Sequence, residues 1–159
     1  MSKAQRFTEL KQEKSTRSFV WLGASVLILG VSLAGSPAVA ADVTLDAGPG
    51  IKWVPNAIPI KKGDVLSVRQ ADTGSTGHNH GFVFSGSGKP KEPIPRCDSP
   101  PPGTIFCEET KGTSSGYNVE ISKDKPGEFL RLKFLQDLSA DMPFECVVHD
   151  GVMTGTLKK

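Results

Sequence analysis

The chain has 159 residues, 37% of them hydrophobic, and a formal net charge of +2. That is the length of one domain rather than two. The near-neutral balance, with no arginine-rich or aromatic-interleaved patch, excludes a nucleic-acid surface.

The first forty residues read as a leader. Lys3, Arg6, Lys11, Lys14 and Arg17 form a basic start, residues 19–34 are almost uniformly apolar, and Ala38, Val39 and Ala40 are small residues where a signal peptidase cuts. This is the pattern of a secretory signal peptide over 1–40, cleaved near Ala40, which implies export to the periplasm or beyond. An apolar run of this length is short for a retained membrane anchor, so no span is expected in the mature protein. The leader holds five of the 19 basic and two of the 17 acidic residues, leaving 14 and 15 in residues 41–159, a net of −1.

The mature part alternates like a β protein. Residues 43–45, 51–54 and 57–61 supply early strands. Leu66 and Val68 follow a turn signal at Lys61, Lys62, Gly63 and Asp64. His80, Phe82 and Phe84 then share one face, as strand side chains repeat every two residues. Residues 85–116 are rich in Gly, Pro and Ser, and long for a structureless connection. Cys97 and Cys107 lie within them. Residues 117–121 alternate again, and Leu130, Leu132 and Phe134 oppose Arg131 and Lys133. Phe144, Cys146 and Val148 point together, and 154–157 close the chain. Seven or eight short strands and no long helical period predict an all-β Greek-key sandwich or barrel with a long disulfide-tied loop insertion. Trp53 and Tyr117 are expected in its core.

Three cysteines are an odd number for an exported chain. If Cys97 and Cys107 pair, closing their loop contributes about 2–3 kcal/mol, and Cys146 is left over. Three residues after it comes His149, and four further on Met153. A thiolate, an imidazole and a thioether at this spacing are most of a copper site, with Cys and His as strong donors and Met as a weak axial one. The missing ligand is a second histidine, and His78 and His80 both compete for it.

Two motifs resemble the cupredoxins, the small type 1 (blue) copper proteins that include plastocyanin, amicyanin and pseudoazurin. One is Cys146-x-x-His149-x-x-x-Met153-x-Gly155; the other is Gly77-His78-Asn79 with Phe82 four residues after His78. The resemblance implies one copper ion held by His78, Cys146, His149 and axial Met153, with Asn79 contributing a backbone N–H toward the thiolate. A competing match, His80-Gly81-Phe82, resembles the His-Gly-Phe of binuclear copper domains and makes His80 the alternative to His78. The binuclear site itself needs two cysteines in one ligand loop, and here there is one.

The expected function is one-electron transfer between redox partner proteins docking near His149, by a monomer without enzymatic activity. The alternatives are periplasmic copper delivery or storage, and a red-copper enzyme like nitrosocyanin, against which Met153 argues. Asp150 would place negative charge beside the exit histidine, and Glu145 stands where plastocyanins carry a Tyr.

Overall fold

Alternation along short strands builds this molecule, and it does so in two sheets. The computed structural model describes residues 39–86, 93–109 and 116–159. The expected signal peptide, apart from residues 39 and 40, and parts of the 85–116 insertion lie outside them. Nine strands are present: β1 (Asp42–Ala47), β2 (Trp53–Val54), β3 (Ala57–Pro59), β4 (Val65–Gln70), β5 (Phe82–Phe84), β6 (Phe106–Glu108), β7 (Gly127–Phe134), β8 (Met142–Cys146) and β9 (Thr154–Lys158). There is no helix among the described residues.

One sheet has the order β2-β1-β4-β7-β6 and the other β3-β9-β8-β5. Both are mixed, because β1 runs parallel to β4 and β3 parallel to β9 while the other neighbours are antiparallel. The inward faces meet in one core. From the first sheet come Leu45, Leu66, Val68, Leu130, Leu132 and Phe134, and from the second Phe82, Phe84, Phe144 and Leu157, each at most 2% exposed. Removing a side chain of this size from water contributes about 1.5–3 kcal/mol. Phe82 stacks on Phe144 with centroids 5.2 Å apart, and Trp53 meets both edge-on at 5.9 and 5.6 Å. Such offset and edge contacts suit the ring quadrupole.

Three sequence expectations change. Residues 117–121 make bridges only at their ends, Tyr117 to Phe82 and Ile121 to His80, and form no strand of their own. The 85–116 segment contains β6, which pairs with β7 through Phe106, Cys107 and Glu108. All three β6 residues are buried, so no alternation marks them. Val148 is 41% exposed rather than facing inward with Cys146, because β8 ends at Cys146 and the chain turns. The expected disulfide is present: Cys97 and Cys107 are bonded, with Cα atoms 5.0 Å apart, and Cys146 is free and buried.

Candidate metal centre

The pairing of β5 with β8 decides what can meet Cys146. Phe82 lies directly opposite Cys146, and Phe84 opposite Phe144. His80 extends the β5 line by two residues and is fastened by backbone hydrogen bonds in both directions with Ile121. Gly81 makes this possible. A Cβ there would stand 2.3 Å from the Val119 carbonyl oxygen and 3.2 Å from Val147 Cβ, so the 117–121 segment can cross only over a glycine.

Cys146 ends β8 and opens a short loop. The Met153 amide donates to the His149 carbonyl at 3.0 Å and the Val152 amide to the same oxygen at 3.1 Å, closing one tight turn. The Met153 carbonyl in turn accepts from the Cys146 amide at 3.0 Å and from the Trp53 indole N–H at 3.0 Å. The loop is thus sealed at its base by the residues at its two ends and anchored to a core aromatic. Met153 is 1% exposed.

These constraints bring His80, Cys146 and His149 together, with one ligand atom from each lying within 4.8 Å of the others. Cys146 Sγ is 3.7 Å from His80 Nδ1 and 3.4 Å from His149 Nδ1. His80 and Cys146 have no exposed surface, whereas His149 is partly exposed. Two imidazoles and a free thiol converging at one largely buried point are a donor set that suits copper or zinc.

His78 takes another position. The Gly77 amide bonds back to the Gly74 carbonyl, so the chain is still turning there and the strand's two-residue period does not reach His78. Its Nδ1 lies 2.9 Å from Asp72 Oδ2, and its side chain is 41% exposed. The ring nevertheless stays near the cluster, with its centroid 5.8 Å from that of His149. Asn79 directs its side chain away, donating to Glu120 at 2.7 Å and accepting from the Lys123 amide at 2.9 Å.

Sequence reasoning missed Asp72. This carboxylate is 6% exposed, and its Oδ2 faces His80 Nε2 at 3.4 Å as well as His78. Burial works to raise its pKa, but the hydrogen bonds from the His78 ring and amide, from His80 and from the Gly50 amide hold it below the usual carboxylate value. Burial likewise pushes the His80 imidazole below its ordinary value, reinforced by His149 and opposed by Asp72. A neutral His80 beside an ionised Asp72 follows, and a neutral imidazole is the form that binds metal. The signal available in the sequence was only an acidic residue six positions before His78.

No family model matches the chain, and no curated protein matches it. Among solved structures, a pseudoazurin from Sinorhizobium meliloti is similar at 14% identity, over 74% of this chain and 72% of that one, with a TM-score of 0.41. A mutant plastocyanin of fern is similar at 21% identity, over 73% of this chain and 98% of that one, with a TM-score of 0.45. Pseudoazurin and plastocyanin are both cupredoxins, the family the two sequence motifs resemble.

Proposed function

We propose that this protein carries single electrons between redox partners through one copper ion, which His80, Cys146, His149 and Met153 would hold. The observation that supports this reading most is the convergence of the three donor atoms within 4.8 Å around a free, buried thiol. When bound, copper held by such a set cycles between Cu(I) and Cu(II). The chain's own part is to keep water out and the ligands still. Buried His80 and Cys146 do the first, and the sealed 146–153 loop does the second, so little has to move when charge changes.

Four protein ligands leave no open coordination position of the kind a hydrolytic metal site keeps. His149 is the cluster member that reaches the surface, flanked by Val148 at 41% and Val152 at 73% exposure and by exposed Asp150. A small apolar rim with one acidic residue suits brief docking of a redox partner, as weak electron-transfer encounters are small. The leader over residues 1–40 supports an exported location, with the disulfide consistent with an oxidising compartment.

The test is to add Cu(II) to the purified protein and record its visible spectrum. An intense blue or green thiolate-to-copper band is expected, retained in His78→Ala and abolished in Cys146→Ser and His80→Ala. A colourless copper-loaded protein overturns the electron-carrier reading. Rapid transfer of Cu(I) to an acceptor chelator, without reversible redox cycling, favours delivery instead.

A further inference from the structure

We propose that Asp72 is a positioning residue for the metal centre: it fixes which nitrogen of His80 faces Cys146, and its charge favours the oxidised state of the bound metal. The second half rests on the copper reading above; the first does not.

A carboxylate only accepts hydrogen bonds. With Asp72 Oδ2 3.4 Å from His80 Nε2, that nitrogen carries the proton, and Nδ1, 3.7 Å from Cys146 Sγ, presents its lone pair to the cluster. A ligating histidine gains basicity and a fixed tautomer from such a partner.

Asp72 is itself held with more care than a surface acid receives. Its amide donates to the Ala47 carbonyl at 3.0 Å, and its carbonyl accepts from Gln70 Nε2 at 2.9 Å, an amide group that also reaches the His78 carbonyl at 2.9 Å. Its Cβ occupies space that only a glycine at position 48 leaves free, since a Cβ on Gly48 would stand 2.3 Å away. Oδ2 accepts from the Gly50 amide at 3.1 Å, the His78 amide at 3.1 Å and His78 Nδ1 at 2.9 Å besides His80.

These contacts also explain the place of His78. It donates to the same oxygen from the outside and orients the carboxylate without joining the three converging donors. One negative charge then lies one imidazole away from the metal position, inside the protein, where screening is weak. It stabilises the higher oxidation state relative to the lower.

Because all four contacts use one oxygen, Asp72→Asn can keep them through its carbonyl while removing the charge, whereas Asp72→Ala removes both. The first measurement is nitrogen-15 NMR of the imidazoles in metal-free protein at pH 8. His80 is expected as the Nε2–H tautomer in the wild type and in Asp72→Asn, and as a mixture in Asp72→Ala. The second is copper loading. Asp72→Ala should bind the metal about 10- to 100-fold more weakly, and Asp72→Asn should keep the visible band but shift the reduction potential upward. An unchanged tautomer in a folded Asp72→Ala overturns the positioning role. An unchanged potential in Asp72→Asn overturns the charge role. A wild type that gives no thiolate–copper band defeats the copper reading and with it the charge role, while the metal-free NMR still decides the positioning one.

Discussion

Gly81 separates His80 from Phe82, and the 117–121 segment crosses directly over it. Replacing its hydrogen with a methyl group forces either the Val119 carbonyl or the His80 backbone to move, given the 2.3 Å approach. Overpacking of this kind costs about 1–3 kcal/mol. Gly81→Ala is therefore expected to lower the unfolding free energy of the metal-free protein by that amount, read as a lower urea midpoint at unchanged m. Since His80 is tied to Ile121 on one side of this contact, the variant should also bind copper more weakly than the wild type. A variant with unchanged midpoint and affinity would show that the crossing relaxes without cost. Gly50, whose added Cβ would meet nothing within 4 Å but whose φ is +75°, makes an instructive contrast: its requirement for glycine is torsional, not steric.

Element by element, legibility followed locality. Leu130, Leu132 and Phe134 against Arg131 and Lys133 could be read from β7 alone, because one face is buried and the other is half-exposed. The approach of His149 to Cys146 was legible for the same reason, the two lying three residues apart. Which of His78 and His80 lies beside Cys146 was not, since it depends on where the extended chain before β5 begins, and that is set by the turn at residues 74–77 and by Asp72. Nor was β6, a three-residue edge strand buried throughout and held by its disulfide to the segment before it. Cys97 accompanies it through backbone bonds: its amide donates to the Glu108 carbonyl at 3.1 Å, and the Glu108 amide to the Pro95 carbonyl at 2.8 Å. Closing a loop with a sequence separation of 10 removes chain entropy from the unfolded state. The double variant Cys97→Ala, Cys107→Ala is expected to lose about 2–3 kcal/mol in denaturant unfolding. Because the disulfide ties β6 of the first sheet to the segment before it, and the His80–Cys146–His149 cluster lies just before β5, at the end of β8 and in the loop after it, the proposed centre's visible band should survive in that variant. Loss of the band together with stability would instead mean that the edge of the first sheet supports the centre.

For the molecule as a whole, the proposed centre would make folding and metal binding one equilibrium, with His80 as the residue that couples them. Cys146 and His149 are three residues apart and stay neighbours in the unfolded chain, so that pair can hold metal weakly without any fold. His80 is 66 residues from Cys146 and reaches it only when β5 lies against β8. A ligand that binds the native state alone stabilises it by about 2.7 kcal/mol at a free concentration 100 times its Kd, and binding to the unfolded chain subtracts from that gain. Zinc, which accepts the same nitrogen and sulfur donors and undergoes no redox chemistry, isolates this effect. At such a concentration it should raise the Tm by something on the order of 10 °C. His80→Ala leaves the local Cys146–His149 pair in both states, so most of the shift should vanish even though two of the three donors remain. Cys146→Ser should remove it entirely, and His78→Ala should keep most of it. Scanning calorimetry of the four proteins with and without zinc measures the difference directly, and an equal shift in the wild type and His80→Ala would show that the β5 strand takes no part in holding the metal.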